Sequence, residues 1–181
     1  MGLRDSAVLV PVLLEDDDLK IIMCQRSPQL QHHGGQIAFP GGKFEIADQS
    51  LSQTALRESF EELGILPQLV EVLGELDETW TPSGYRIHAF GGWLSQRPDF
   101  QICTGEIANL VEVSVRQLLE PSRFSEEYLE RGDTRYRMVN FHLDEGLRIW
   151  GATARILYRF LQCVCSFQVD RDEPWDVPTT R

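Results

Sequence analysis

The segment at residues 51–63 has the spacing of an amphipathic helix, and it limits the possible folds more than any other feature of the chain. Gly64 follows it as a helix stop, and Pro67 comes soon after. A step of about 100° per residue places Glu58, Glu61 and Glu62 on one face. The opposite face then carries Ala55, Leu56, Ser59, Phe60 and Leu63. The sequence therefore predicts a helix with a separate acidic face.

Strand patterns surround this helix. Residues 7–14 and 19–24 are rich in β-branched and aliphatic side chains, and with the acidic tip at 15–18 they predict a hairpin. Further strands are predicted at 37–39, 69–76, 85–94, 107–113, 136–141 and 147–149, with a short amphipathic segment at 115–119 and a last helix at 151–163. This order predicts an α/β (α+β) fold, an α/β/α sandwich with a mixed β-sheet.

Composition narrows the class of protein. The chain has 181 residues and a formal charge of −11, so we expect one domain spanning residues 1–181 and no nucleic-acid partner. No apolar run reaches the roughly 18 residues of a membrane span. The four cysteines show no C-x-x-C spacing, which favours a cytoplasmic protein with reduced thiols. The oligomeric state is left open, with a homodimer as one possibility.

The three helix carboxylates require an explanation, because like charges three or four residues apart on a helix repel by about 0.2–0.5 kcal/mol per pair. One explanation is a solvated face on which Arg57 pairs with Glu61 at i+4. The other is an oxygen-ligand site for Mg²⁺ or Mn²⁺, in which the cation removes the repulsion.

The sequence around the helix favours the metal site. Phe39-Pro40-Gly41-Gly42 lies upstream, fourteen residues separate Gly42 from Arg57, and the run RESFEELGI (57–65) follows. This arrangement resembles the signature of the Nudix hydrolases, G-x5-E-x7-R-E-U-x-E-E-x-G-U, where U is aliphatic. Two departures stand out: Asp48 replaces the first glutamate and is separated from Arg57 by eight residues instead of seven, and Ser59 replaces an aliphatic residue.

A second resemblance concerns residues 21–42, IIMCQRSPQLQHHGGQIAFPGG. They are similar to the additional signature of the coenzyme A diphosphatase branch, roughly L-L-T-x-R-S-x3-R-x3-G-x3-F-P-G-G. Gln31 stands where that signature has its second arginine. The resemblance extends over about residues 7–161, and residues 163–181 carry none of it.

The Nudix resemblance implies how the site works. Water attacks a phosphorus atom of a nucleoside diphosphate derivative, with Mg²⁺ or Mn²⁺ as cofactor. The implied metal ligands are Glu58, Glu61, Glu62 and the Gly42 carbonyl. The general base is either a helix carboxylate, Glu58 or Glu61, or the later loop residue Glu106. Arg26, His33 and Gln36 are the candidate substrate contacts, with Arg26 assigned to a phosphate.

The branch resemblance implies a small-molecule substrate, coenzyme A or a derivative, cleaved to 4′-phosphopantetheine and adenosine 3′,5′-bisphosphate. Gln31 leaves open another Nudix substrate, such as ADP-ribose, a dinucleotide or a damaged nucleoside triphosphate. The shifted Asp48 also leaves open a Nudix-fold sensor that binds a nucleotide without turnover.

Overall fold

The computed structural model describes residues 3–131 and 134–165 of the chain. The three helices are α1 (Leu51–Leu63), α2 (Val115–Leu118) and α3 (Gly151–Cys165). The strands are β1 (Arg4–Glu15), β2 (Asp18–Arg26), β3 (Ile37–Ala38), β4 (Gly41–Lys43), β5 (Val70–Trp80), β6 (Tyr85–Leu94), β7 (Ile107–Ser114), β8 (Phe124–Arg131), β9 (Thr134–His142) and β10 (Arg148–Ile149). Short 3₁₀ turns occupy Pro67–Leu69, Pro121–Arg123 and Asp144–Gly146.

The larger sheet is mixed and has β1 at its centre. β1 pairs in parallel with β6 along one side, and β6 pairs with the edge strand β5 in antiparallel. On its other side β1 changes partner, pairing with β4 near Ala7 and with β2 from Val12 onward. β2 also pairs with β3 and β7, while β8, β9 and β10 form a separate antiparallel sheet. The change of partner places the Gly41–Gly42 turn against the middle of the sheet.

Alternate side chains of β1 bury against different helices, as expected for a strand with both faces covered. Ala7 and Leu9 pack in one cluster with Ala55 of α1. Val10 and Val12 pack in the cluster that contains Leu157 of α3. The larger sheet therefore lies between α1 and α3, which confirms the predicted α/β/α class.

The bounds of α1 match the prediction, because both of its ends are capped. The Ser50 side chain accepts a hydrogen bond from the Gln53 backbone N–H at 3.2 Å. Gly64 adopts a left-handed conformation with φ 71° and donates its N–H to the Phe60 carbonyl at 2.8 Å. The predicted assignment of faces was wrong for two residues: Phe60 is 48% exposed, whereas Glu62 is only 3% exposed.

Other predictions were confirmed or corrected. The predicted hairpin is confirmed by the pairing of β1 with β2, and β9 pairs with β10 as expected. β5 is longer than predicted and ends at Trp80, and β8 was not predicted at all. α3 ends two residues later than predicted, so residues 163–165 of the unassigned tail belong to it, and the rest of that tail, 166–181, lies outside the described residues. Within the described ranges no helix is long and apolar enough to cross a membrane.

Candidate active site

The glycine turn at β4 allows α1 to approach the sheet closely. A Cβ atom on Gly42 would lie 2.3 Å from Oε1 of Glu58, and one on Gly41 would lie 2.4 Å from the Ala7 carbonyl oxygen. The backbone N–H of Gly41 also donates a hydrogen bond to Oε2 of Glu62 at 3.1 Å. The absence of a side chain at Gly41 therefore lets β4 lie against β1, and its absence at Gly42 leaves room for the Glu58 carboxylate beside the turn. The role of the Gly41 N–H was not anticipated from the sequence.

Arg57 connects the acidic residues of the loop and the helix. Its Nε and Nη2 contact the two carboxylate oxygens of Asp48 at 3.0 and 3.1 Å. Its Nη1 donates to Glu58 at 3.0 Å and to Glu61 at 3.2 Å. Its Nη2 also donates to the Lys43 carbonyl at 3.1 Å. The guanidinium thus ties the segment after β4 to the helix that carries the glutamates.

Asp48 makes this contact although its type and spacing depart from the Nudix signature. Its Oδ2 accepts hydrogen bonds from the Thr54 hydroxyl at 2.8 Å and the Glu45 backbone N–H at 3.0 Å. The hydrogen bond from Arg57, with those from Glu45 and Thr54, lowers the pKa of Asp48 to about 2. The other departure, Ser59, is buried, and its hydroxyl donates to the Ala55 carbonyl at 2.6 Å. Hydrogen bonds to neighbouring residues thus accommodate both departures from the Nudix signature.

Burial gives the helix carboxylates unusual electrostatics. Desolvation raises the pKa of Glu62 to about 7, although the Gly41 N–H and the Arg26 charge act in the opposite direction. Desolvation also raises the pKa of Glu58, and the nearby Arg57 opposes it. The negative charge of Glu106 raises the pKa of both residues. These carboxylates therefore lie close enough to disfavour one another's ionised form.

Glu106 is placed beside α1 by a tight turn. The Cys103 N–H donates to the Glu62 carbonyl at 2.9 Å, and the Glu106 N–H donates to the Cys103 carbonyl at 3.0 Å. The Ser27 N–H donates to the Glu106 carbonyl at 2.7 Å. The side chain of Glu106 is exposed, so it is accessible to water and to a ligand. The turn at 103–106 thus joins the end of α1 to the segment after β2.

Arg26 lies at the end of β2 and faces the same carboxylates. Its Nη1 is 3.8 Å from Oε1 of Glu62, and its Nε is buried without a hydrogen-bond partner. His33 and Gln36 lie in the loop that follows, where His33 Nδ1 and Gln36 Oε1 are 3.0 Å apart. Of the predicted site residues, the structure brings together Arg26, Gly42, Glu58, Glu62 and Glu106. Glu61 contacts Arg57 at the exposed rim, and the contact between His33 and Gln36 lies within the loop.

The donor set of this site fits a hard divalent cation. Glu58, Glu61 and Glu62 supply carboxylate oxygens, and β4 supplies the Gly42 carbonyl, the kinds of ligand that Mg²⁺ and Mn²⁺ prefer. The raised pKa of buried Glu62 is a second sign, because a nearby cation would stabilise its ionised form. Among the described residues no three Asp, Glu, His or Cys side chains are already arranged to hold an ion. Glu58 and Glu61 instead contact Arg57, and would have to turn towards a cation.

The mixed sheet between two helical layers, with a glycine turn packed against an acidic helix, defines a Nudix-type hydrolase domain. The family model for the NUDIX domain matches residues 3–131 of the chain. The chain therefore belongs to the Nudix family, whose hydrolases act on nucleoside diphosphate derivatives, generally with divalent metal ions.

Curated relatives support the same assignment. The chain is 36% identical over 159 residues to an uncharacterized Nudix hydrolase, NudL, of Yersinia enterocolitica, with 88% of this chain and 80% of the relative covered. It is 34% identical over 163 residues to a probable nudix hydrolase of Schizosaccharomyces pombe, with 90% of this chain and 56% of that protein covered. The match therefore spans just over half of the yeast relative.

Solved structures share the fold at low sequence identity. A MutT/nudix family protein from Enterococcus faecalis has a TM-score of 0.62 at 14% identity, with 92% of this chain and 63% of that chain covered. The NUDIX domain of Shewanella oneidensis NrtR, solved with ADP ribose, has a TM-score of 0.55 at 21% identity, with 66% of this chain and 78% of that chain covered. These structures are similar in fold.

Proposed function

We propose that the protein hydrolyses the pyrophosphate bond of coenzyme A or its derivatives, giving 4′-phosphopantetheine and adenosine 3′,5′-bisphosphate. One observation carries this proposal: the segment that resembles the coenzyme A diphosphatase signature runs directly through the carboxylate site. Arg26 is 3.8 Å from Glu62, and Gly41, at the end of the same segment, donates to that residue. The segment that distinguishes the branch is therefore in position to contact the substrate.

Each residue of the site has a separate role in the proposed reaction. Glu58, Glu61, Glu62 and the Gly42 carbonyl would hold Mg²⁺ or Mn²⁺, which neutralises pyrophosphate charge and acidifies water. Glu106, exposed beside Glu58 and Glu62, is the first candidate to accept the proton of the attacking water, and a helix carboxylate is the alternative. The water oxygen bonds to phosphorus, the P–O bond of the anhydride breaks, and the leaving phosphate carries away its oxygen. Arg26 contacts a phosphate of the substrate.

Gln31 favours a second candidate function. The branch signature has arginine at this position, so the loop lacks one cation that would contact substrate phosphate. A Nudix hydrolase for ADP-ribose, a dinucleotide or a damaged nucleoside triphosphate remains the alternative. A sensor that binds a nucleotide without turnover is a third possibility, but the three helix glutamates argue against it.

A substrate panel tests these alternatives. The protein is incubated with Mg²⁺ or Mn²⁺ and coenzyme A, acetyl-coenzyme A, NADH, ADP-ribose or 8-oxo-dGTP, and the products are separated by chromatography. We expect the highest kcat/KM for coenzyme A or its acetyl ester, and mass spectrometry after reaction in H₂¹⁸O identifies which phosphorus the water attacks. Preference for ADP-ribose would refute only the assignment of coenzyme A as substrate. No turnover of any compound would refute the proposal that the protein is a hydrolase.

We also propose a cytoplasmic location, because all four cysteines are free and a reducing compartment keeps them so. A single domain over residues 1–181 and a possible homodimer stay predictions. Size-exclusion chromatography with light scattering measures the oligomeric state directly.

A further inference from the structure

Two arginines contact the three carboxylates of α1. Arg57 donates to Glu58 at 3.0 Å and to Glu61 at 3.2 Å, and Arg26 Nη1 lies 3.8 Å from Oε1 of Glu62. Each helix carboxylate that could hold a divalent cation therefore already faces a guanidinium. A cation that binds here has to compete with these positive charges, and the two arginines differ in how firmly they are held.

Arg57 is fixed by contacts other than those with the helix carboxylates. Its Nε and Nη2 donate to the two carboxylate oxygens of Asp48 at 3.0 and 3.1 Å, and Nη2 also donates to the Lys43 carbonyl at 3.1 Å. A bidentate contact of this kind is among the strongest that arginine makes. The Arg57 guanidinium therefore keeps its place when Glu58 and Glu61 turn towards a cation.

The side chain of Arg26 has no comparable anchor. In the described part of the chain, Glu62 is the only carboxylate within ion-pair distance of its guanidinium, and 3.8 Å is too long for a hydrogen bond. Its Nε is buried without a hydrogen-bond partner. The backbone, in contrast, is held on both sides, because its N–H donates to the Gln36 carbonyl at 2.9 Å and its carbonyl accepts the Gly35 N–H at 3.0 Å. Arg26 can thus move its charged group while the chain stays in place.

Glu62 depends on this guanidinium because it is buried. Its side chain is 4% exposed, its Oε2 accepts the Gly41 N–H at 3.1 Å, and its Oε1 faces Arg26. A buried carboxylate requires a compensating charge. A divalent cation at Oε1 would supply that charge and would repel the nearby guanidinium. The cation and Arg26 are therefore alternative counter-ions of the same oxygen.

We propose that Arg26 is the counter-ion that a divalent cation displaces from Glu62, so that Arg26 weakens metal binding by the free protein and couples it to substrate binding. The displaced guanidinium can pair with a phosphate of the substrate, which offsets the cost of displacing it. Metal and substrate then raise each other's affinity by the same factor, as linkage requires. This inference rests on the proposed function, because it needs a cation and a diphosphate at the carboxylate site. It assigns to Arg26 an effect on the metal that a phosphate contact alone does not have.

Mn²⁺ binding without nucleotide tests the first part of this proposal. Calorimetric titrations between pH 8 and 9, above the pKa of about 7 of Glu62, give the Kd at which protons no longer compete. Arg26→Gln and Arg26→Met should both bind Mn²⁺ at least about fivefold more tightly than the wild type, as expected for the loss of a positive charge 3.8 Å from Oε1. Arg26→Lys keeps a positive charge and should stay within about twofold. Arg116→Gln, at an exposed arginine of α2, is the matched control and should change nothing.

ADP, which carries a diphosphate, tests the coupling. In the wild type, saturating ADP should tighten Mn²⁺ binding in two ways, through direct contact of the metal with phosphate and through the pairing of displaced Arg26 with phosphate. The two uncharged variants keep only the direct contact. The ratio of the Mn²⁺ Kd without ADP to that with ADP should therefore be about fivefold smaller in Arg26→Gln and Arg26→Met than in the wild type.

Unchanged or weaker Mn²⁺ binding in both uncharged variants would overturn the proposal, and an unchanged Kd is what a phosphate contact alone predicts. A ratio with ADP equal to that of the wild type would also overturn it. Circular dichroism confirms that the compared variants are folded. The proposed function fails separately, because the titrations need no turnover: an inactive substrate panel refutes the hydrolase whatever the Kd values. Absence of Mn²⁺ binding to the wild type would refute the metal site itself.

Discussion

Substitution of Gly42 by alanine should disable the site without disturbing the fold. The added Cβ would lie 2.3 Å from Oε1 of Glu58, whereas ordinary contact begins near 3.4 Å. The carboxylate must therefore move by about 1 Å, since the other side of the contact is backbone. A displacement of this size at a catalytic group costs roughly 100-fold in rate. We expect kcat of Gly42→Ala to fall by about that factor.

The stability of this variant should stay close to that of the wild type. Gly42 has no left-handed φ, so alanine is compatible with its backbone, and the loss of glycine freedom in the unfolded chain favours folding by about 0.4–1 kcal/mol. Glu58 can turn towards solvent, because its side chain is partly exposed. The free energy of unfolding should therefore change by less than about 1 kcal/mol, measured by urea denaturation.

Gly91→Ala is the matched control. A Cβ on Gly91, also a strand glycine, would meet its nearest neighbour, the Leu73 Cβ, at an ordinary 3.8 Å. This variant should retain the wild-type kcat. A double-mutant cycle then locates the effect: in a Glu58→Gln background, Gly42→Ala should lower kcat by no more than about twofold. The reasoning is refuted if Gly42→Ala keeps kcat within threefold of the wild type, or if its effect is undiminished in the Glu58→Gln background.

Three further substitutions address individual carboxylates. Glu62→Gln should lower kcat by orders of magnitude. In EDTA its free energy of unfolding should rise relative to the wild type by up to about 3 kcal/mol between pH 4.5 and 7, because native Glu62 keeps its proton up to a pKa of about 7 while the unfolded chain releases it near 4.5. Parallel pH curves of the two proteins in urea denaturation would contradict this. Asp48→Asn should lower kcat about tenfold. In acid denaturation the wild type should lose its greater stability over this variant as the pH falls from 3.8 towards 2, the range set by the lowered pKa of Asp48. A stability difference that does not change with pH would argue against the Arg57 contact. Glu106→Gln should lower kcat at least tenfold, while the metal concentration for half-maximal activity changes less than threefold. Asp99→Asn, at another exposed acidic residue, is the control. An unchanged kcat in Glu106→Gln would show that Glu106 is not the general base.

Local signals made most of the fold predictable from the sequence. Ser50 and Gly64 are cap residues at the two ends of α1, so its bounds could be read directly. β8 was missed because its sequence, FSEEYLER, is dominated by polar residues and lacks a clear strand pattern. It forms because it pairs along its whole length with β9, a tertiary contact that no local pattern reveals.

The site was predictable in its residue types and less so in its geometry. The spacing of the signature identified Glu58 and Glu62, but a division of the helix into two faces placed Glu62 opposite Ala55. At about 100° per residue, Glu62 lies nearer to buried Ala55 than to exposed Glu61, and the Gly41 N–H satisfies one of its oxygens in the interior. The contact between Asp48 and Arg57 across a longer loop also depends on three-dimensional structure.

The carboxylate site around Glu62 explains how a chain of negative net charge could bind the proposed phosphate substrate. A chain with a formal charge of −11 repels a pyrophosphate at long range, so the attraction has to arise within the site. Burial makes the ionised form of Glu62 costly, and Glu58 and Glu106 add repulsion. A divalent cation would relieve both costs and leave positive charge facing the substrate, which a proton on Glu62 does not. The same acidity offers no such relief along a nucleic-acid backbone, where charges repeat far beyond one metal site. We therefore expect no nucleic-acid partner, and the buried carboxylates support the proposal of a small ligand bridged by metal.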